Sequence, residues 1–257
     1  MPMSEGLPYA RHRVNDDDAE RVSEVLHGDW LSTGPEVTRF EKDLSEVVGA
    51  PTVSVSSGTA ALHTMYRTFG LGRGDEVISS PLTFVATQAM ALECGATVVF
   101  ADVEESTGNI DVRHVETLIT EKTKAIVAVD FAGHPADLDQ LRELADDNGI
   151  WLLEDAAHSF GSSLLGRPVG SWADGTAFSF FATKNITSGE GGAVAALDVT
   201  HIENMKVFSR QGLIRNQDDL LWPNEGPWHQ EVHRLGFNYR LTDLQAALGR
   251  SQLLRLQ

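Results

Sequence analysis

Short apolar runs at Glu76–Ser79, Thr97–Ala101, Ala125–Val129 and Ile150–Glu154 alternate with stretches of helical periodicity. That alternation constrains the fold more than any other feature of this sequence. Strands separated by helix-length segments build a mostly parallel sheet, because a parallel return needs a crossover long enough to hold a helix. Each of the four runs is apolar enough to expect burial on both faces. Helices fit between them at Ala86–Cys94 and Leu138–Asn148. Further strands are expected at Ala177–Phe180 and Gly192–Ala196. Upstream, Asn15 can cap a helix whose apolar side includes Val22, Val25 and Leu26. Thr38–Val48 and Ser57–Phe69 carry helical spacing, the latter through Leu62, Met65, Tyr66 and Phe69. Asn216–Gly236 is rich in Trp, Pro and Gly and reads as a long loop. Leu241–Leu256 reads as a last helix with Leu244, Leu248 and Leu253 along it. The expected fold class is therefore α/β, with a mostly parallel seven-stranded sheet sandwiched by helices. Residues 1–240 form one large domain, of which 1–50 is helical.

With 257 residues, 42% of them apolar, the chain can enclose a real core. Its net charge of −17 argues against nucleic acid or an anionic membrane surface as partner, since both require a basic footprint. No apolar run reaches membrane-spanning length, and residues 1–9 lack the pattern of a signal peptide. Cys94 is the only cysteine, so no internal disulfide can form. Together these features lead us to expect a cytoplasmic protein.

The strongest chemical constellation runs from Asp155 to Gly192. The strand at Ile150–Glu154 delivers Asp155 to its carboxyl end, the edge where open α/β sheets bind ligands. Lys184 follows another strand. A partly buried lysine can lose its proton and form an imine with a carbonyl cofactor. A carboxylate facing a pyridine ring nitrogen keeps that nitrogen protonated and the ring electron-withdrawing. Asp155 and Lys184 can supply those two roles, although a lysine or aspartate taken alone is more often a solvated surface group. Ser56-Ser57-Gly58-Thr59-Ala60-Ala61-Leu62 follows a short strand and opens a helix. Small residues there allow backbone N–H groups to approach a phosphate, and the helix dipole favours its charge. An ordinary Ser/Gly helix cap has the same composition. No Gly-Lys-Ser/Thr follows, so this is not a Walker loop, and Gly70-Leu71-Gly72-Arg73-Gly74 misses the dinucleotide spacing.

Six strings in register resemble the sugar aminotransferases of the DegT/DnrJ/EryC1/StrS family, fold-type I pyridoxal-phosphate enzymes. They are Ser56 to Leu62; Ser80-Pro81-Leu82-Thr83-Phe84-Val85-Ala86-Thr87; Glu154-Asp155-Ala156-Ala157-His158; Phe178-Ser179-Phe180; Thr183 to Gly192; and Asn238-Tyr239-Arg240-Leu241-Thr242-Asp243-Leu244-Gln245-Ala246-Ala247-Leu248-Gly249. The resemblance implies pyridoxal 5'-phosphate as cofactor and Lys184 as its Schiff-base lysine and proton carrier. It implies Asp155 at the pyridine nitrogen, and Ser57, Gly58, Thr59 and Ser179 around the phosphate. It places Phe84 over one ring face, where an offset stack is physically sensible; a core phenylalanine is the alternative. His158 falls near the cofactor hydroxyl, or merely caps a turn. Asn238 matches an asparagine that reaches the phosphate of the partner subunit's cofactor, which implies a homodimer with shared active sites. Tyr9, Thr33 and Thr83 are candidate substrate contacts, Thr33 within Trp30-Leu31-Ser32-Thr33-Gly34-Pro35.

Phe131-Ala132-Gly133-His134-Pro135, Gly226-Pro227-Trp228 and Leu235–Arg240 are similar to the pseudaminic-acid branch of the family. Those enzymes act on a UDP-linked 4-keto-6-deoxy-N-acetylhexosamine with an amino-acid donor, usually glutamate. Phe181-Ala182-Thr183 departs from the His-Pro-Val typical of that branch. Family members continue past Leu241–Leu256 into a smaller C-terminal domain, so residues 241–257 are expected to begin the helix leading to it. The leading expectation is amino transfer to a nucleotide-linked keto sugar. Two other readings are a dehydrating relative, against which Lys184 speaks because such enzymes carry histidine there, and a non-catalytic or partner-dependent remnant. No metal is expected. His229-Gln230-Glu231-Val232-His233 places two histidines at helical spacing, but it is not HExxH and lacks a third ligand.

Overall fold

A computed structural model describes residues 11–223 and 225–256. Tyr9 therefore lies outside the described residues. The strands follow the order β1 (Thr52–Val55), β2 (Glu76–Ser79), β3 (Thr97–Phe100), β4 (Thr123–Val129), β5 (Trp151–Asp155), β6 (Ser163–Leu164), β7 (Arg167–Pro168), β8 (Gly175–Ser179), β9 (Gly192–Ala196), β10 (Leu213–Ile214) and β11 (Glu231–Val232). The helices are α1 (Asp16–Leu26), α2 (Pro35–Val48), α3 (Gly58–Thr68), α4 (Ala86–Glu93), α5 (Val112–Leu118), α6 (Leu138–Asn148), α7 (Val199–Ser209) and α8 (Asp243–Leu253).

Seven strands form one sheet in the order β1-β9-β8-β5-β4-β2-β3. Only β9 runs against the rest, pairing antiparallel with both β1 and β8. The expected fold class is the observed one. Alternate residues of each strand face opposite layers, as the pleat requires. On β4, Ala125 and Val127 pack beneath α3, α4 and α7, with Tyr66, Met65 and Met205 among the buried groups. Ile126 and Ala128 point to the other face, against Val115 of α5 and Leu138, Leu141 and Ala145 of α6. Farther along that face, Phe178, Ala193 and Ala195 pack against Phe40 and Leu44 of α2. Most core positions are Val, Ile, Leu and Ala, so the helices sit close to the sheet.

Helix ends are fixed by particular groups. Ser57 and Thr242 cap α3 and α8 through their hydroxyls, and Asn15 makes a reciprocal capping box with Asp18. Gly34 has no side chain to cap α2. The fully buried Asp243 does so instead, accepting from the Gly34 and Glu36 amides at 2.8 and 2.9 Å. Arg250 on α8 also pairs with Glu36 and Asp43 of α2. Gly249 is required at this crossing, because a Cβ there would sit 2.6 Å from the Phe40 ring.

Several expectations need correction. β3 is not buried on both faces; it is the sheet edge, paired only with β2, and Phe100 is exposed. Val22 and Val25 of α1 are only half-buried and Leu26 is exposed. That helix is held largely by buried Asp18, which pairs with Arg255. The buried face of α8 is formed by Ala246, Ala247 and Gly249; of the three leucines, Leu253 packs partly buried against the core, while Leu244 and Leu248 are only half-buried. Asn216–Gly236 is not wholly loop, since it contains β11, which pairs with β10 just before it. His229 and His233 do not lie on a helix. They flank extended Glu231, and each ring Nε2 contacts its carboxylate, at 3.1 and 2.6 Å. Among the described residues no cluster suited to a metal ion occurs, and no helix is long and apolar enough to cross a membrane.

Candidate cofactor site

A cleft of about 660 Å³ opens at the carboxyl edge of the sheet. Its walls include Ser57, Gly58, Thr59, Thr83, Phe84, Asp155, His158, Ser179 and Lys184. Residues that are far apart in sequence thus converge on one place, where the fold leaves a crevice between strand ends and helix starts.

The cup at one end is built by close approach. α3 begins directly after β1, with the Ser57 hydroxyl accepting from the Ala60 amide at 3.1 Å. A Cβ at Gly58 would lie 2.8 Å from Ser179 Cβ and 3.0 Å from its Oγ. Glycine is therefore what lets the first turn of α3 reach the end of β8. The free N–H groups of that turn and the Ser179 hydroxyl form a small polar hollow suited to an anion.

At the other end Asp155 closes β5 and is 5% exposed. Burial pushes its carboxyl up from the ordinary range. The Thr87 hydroxyl at 2.6 Å, the Ala157 amide at 3.2 Å and the charges of Lys184 and His158 pull it back. Lys184 is half-buried in the turn after β8. Burial draws its amine below the usual lysine value, while the Asp155 charge acts in the opposite sense. His158 is held toward the neutral form, first by burial and then by Lys184. A lysine more readily deprotonated beside a buried carboxylate is the arrangement that imine chemistry needs.

The Lys184 turn is tied at several points. The Phe180 amide donates to the Gly191 carbonyl at 2.9 Å, and the Ser188 amide donates to the Phe180 carbonyl at 3.0 Å. Asn185 donates its side-chain amide to the Phe160 carbonyl at 2.8 Å, and Ile186 is buried. Asn185 is thus committed to the fold.

Phe84 is 74% exposed on the cleft wall, so it is not a core phenylalanine. Thr83 reaches the cleft, and its hydroxyl lies 2.8 Å from that of Thr87. Thr33 and Asn238 are not brought to this cleft within one chain. Thr33 lines a separate hollow of about 350 Å³ with Lys206, Arg210 and Arg240. Asn238 is exposed and bridges to Arg210.

The sequence reading missed two groups here. Thr87 carried no assigned role, although its hydroxyl stands four residues from that of Thr83 at the start of α4. Asp130, just past β4, was also overlooked, although the same carboxyl-edge rule that flagged Asp155 applies to it. Asp130 lies beside fully buried Glu154. Burial pushes Asp130 up to about 6, and burial with the Asp130 charge pushes Glu154 well above its ordinary range. One Glu154 oxygen accepts from the Thr176 hydroxyl at 2.8 Å, and the other is buried without a hydrogen-bond partner among the described residues.

A parallel α/β sandwich with a lysine, a buried carboxylate and an anion cup at its carboxyl edge defines a fold-type I pyridoxal-phosphate transferase scaffold. The sequence model of the DegT/DnrJ/EryC1/StrS aminotransferase family matches residues 12–257, and the chain belongs to that family. It is 42% identical over 251 residues to the spore coat polysaccharide biosynthesis protein SpsC of Bacillus subtilis, covering 97% of this chain and 64% of SpsC. The chain thus spans less than two thirds of that relative's length. Among solved structures it resembles Helicobacter pylori PseC, an aminotransferase involved in the biosynthesis of pseudoaminic acid, at 36% identity and a TM-score of 0.91, covering 98% of this chain and 66% of PseC. It also resembles the putative sugar aminotransferase Spr1654 of Streptococcus pneumoniae, solved in PLP and PMP forms. Identity is 31% to both; TM-scores are 0.89 and 0.91, with 97% of this chain and 66% and 68% of those chains covered. The cofactor expected from the sequence, pyridoxal 5'-phosphate, is the family's.

Proposed function

We propose that this chain carries the cofactor-binding part of a cytoplasmic aminotransferase that moves an amino group, from glutamate, onto a nucleotide-linked keto-deoxy sugar. The observation that carries the reading is the convergence of Lys184, buried Asp155 and the Ser57–Ser179 cup in a single cleft. These groups fit pyridoxal phosphate, since the Gly58 approach leaves the backbone hollow that an esterified phosphate needs and Asp155 is a buried carboxylate at the opposite end.

When bound, the cofactor supplies an electron-withdrawing ring that stabilises negative charge next to the reacting nitrogen. Asp155 would hold a proton at the ring nitrogen. The first turn of α3 and Ser179 would hold the phosphate. Phe84 would cover one face and exclude water, and His158 would serve the ring hydroxyl. The Lys184 amine would attach the cofactor and, when free, would take up and return a proton at the reacting carbon, as general base and then acid. Burial suits it to that work, because an amine lowered from its usual value accepts and returns protons more readily near neutral pH. Residues 241–257, on this reading, lead to a smaller C-terminal domain of the whole protein. A second copy completes each site by placing Asn238 at the other cofactor's phosphate. The exposure of Asn238 beside exposed Phe237 and Leu235 supports that arrangement.

The test is reduction with borohydride after loading with pyridoxal phosphate, followed by peptide mass spectrometry. The expected result is a pyridoxyl group on Lys184 and loss of the visible absorbance band on adding glutamate. A folded chain that binds no cofactor, or is labelled at another lysine, refutes the reading.

A further inference from the structure

The hydroxyl of Thr87 stands at the centre of a small network beneath the cleft. It lies 2.6 Å from Asp155 Oδ2, 3.1 Å from the Phe84 carbonyl oxygen and 2.8 Å from the Thr83 hydroxyl. Thr87 is 2% exposed, so no water completes the set from bulk solvent. Its backbone is fixed too, because the fully buried Tyr66 donates its phenol proton to the Thr87 carbonyl at 3.0 Å.

Proton counting gives this network a direction. A threonine hydroxyl has one proton to donate and two lone pairs to accept with. An ionised Asp155 can only accept. The shorter, charge-assisted contact takes the Thr87 proton. Thr87 Oγ1 is then an acceptor toward Thr83, and the Thr83 proton must point inward. The chain of donation runs Thr83 to Thr87 to Asp155, each bond polarising the next. Protonating Asp155 reverses it: the carboxyl donates to Thr87, and the Thr87 proton turns to the Phe84 carbonyl.

We infer that Thr87 is a positioning residue that holds the Asp155 carboxylate in place and ionised, and that Thr83 is the proton donor completing it. The inference rests on the proposed role of Asp155 at the cofactor ring. It changes what Thr83 offers at the cleft. With its proton committed inward, Thr83 presents lone pairs to a substrate and accepts a hydrogen bond from a hydroxyl or amide N–H; it does not donate to a carbonyl or phosphate. The titratable groups around Asp155 are Lys184 and His158 on the cleft side, Asp130 beside β4 and Tyr66 from α3. None of these donates to Oδ2, so the hydroxyl of Thr87 is not duplicated.

The experiment compares the cofactor-free protein with Thr87→Val, Thr87→Ser and Thr83→Val, using carbon-13 NMR of aspartate carboxyls. The Asp155 signal is assigned from Asp155→Asn. Valine keeps the shape of threonine and removes the donor. The Asp155 midpoint is expected to rise by about one pH unit or more in Thr87→Val, as for loss of a hydrogen bond to a charged group. It returns close to wild type in Thr87→Ser and rises by a smaller step in Thr83→Val. Affinity for pyridoxal phosphate, followed by fluorescence, falls about tenfold in Thr87→Val and recovers in Thr87→Ser. An Asp155 midpoint unchanged in both valine variants overturns the inference. If Thr87→Val does not fold, Thr83→Val decides alone: an unmoved midpoint overturns the inference and a raised one supports it. A wild-type chain that binds no pyridoxal phosphate refutes the proposed function instead, while the titration still reads the network.

Discussion

Gly58→Ala isolates the cup from every other part of the site. Gly58 is the first residue of α3, and its φ is not in the left-handed region, so alanine is sterically allowed on the helix itself. Helix propensity alone would favour the change by roughly 0.5–1 kcal/mol. The new Cβ, however, would sit 2.8 Å from Ser179 Cβ, against an ordinary contact range that starts at 3.4 Å. The start of α3 and the end of β8 must therefore part by roughly 0.6 Å, at an overpacking cost of about 1–3 kcal/mol. The two effects leave a net destabilisation of about 0–2.5 kcal/mol, with a larger loss in phosphate binding. Each charge-assisted bond to the anion is worth about 1.5–3 kcal/mol, so misplacing one weakens pyridoxal phosphate binding at least about tenfold. Fluorescence titration measures the binding and thermal melting measures the stability. Gly58→Ala combined with Ser179→Gly removes the Ser179 Cβ that the new methyl group would meet, and its melting temperature is expected to exceed the sum of the single effects. Cofactor affinity within twofold of wild type in Gly58→Ala, with no coupling between the two substitutions, would refute the argument that glycine makes the cup.

Two further outcomes follow from titratable groups. Asp130 is raised to about 6 in the folded chain, so its contribution to stability is greatest below its ordinary value near 3.8 and declines as pH rises through about 6. Ser159→Ala removes the hydroxyl that pulls Asp130 down against burial, so the fall in melting temperature should extend above about pH 6; a fall that still ends near pH 6 counts against the reasoning. Glu231 is depressed to about 2, drawn down by His233, by the Leu221 and Trp222 amides and by His229 against the opposing effect of burial. Its stabilisation is complete above about 4.5 and is lost as pH falls toward 2, so hydrogen exchange at the Leu221 and Trp222 amides should accelerate over that interval, and Glu231→Gln should remove the acceleration.

The central strands were legible because β4, β5, β8 and β9 are apolar on both faces, and nothing but a covered sheet accommodates that pattern. β3 has the same composition but occupies the edge, a position that depends on strand order, and no local window encodes it. α5 was missed because only Val115 of its seven residues is buried. α7 was missed because its apolar positions, Ile202, Met205 and Phe208, are interleaved with His201 and Lys206. β11 is two residues long and stands beside the clamp at Glu231, a tertiary contact rather than a propensity. In the site, Lys184, Asp155 and the Ser57–Thr59 turn could be read, since each lies at or shortly past the carboxyl end of a strand. Thr87 could not, because it lies 68 residues from the carboxylate it serves, and only the packing of α4 beside β5 brings them together. Thr33 and Asn238 were named from the resemblance alone, and one chain by itself keeps both outside the cleft.

The single reversed strand has a bearing on how the site comes into being on the ribosome. β9 lies between β1 and β8, whose ends carry the two sides of the cup. A nascent chain that has emerged only as far as β8 possesses the lysine-bearing neighbourhood in part and the first turn of α3 in full, yet nothing wedges them into register. The hollow is born when the residues from Gly192 to Ala196 slide in between and pair with Thr52 through Val55 on one side and with Gly175 through Ser179 on the other. Ligand competence thus depends on a strand that contributes no side chain to the cleft wall.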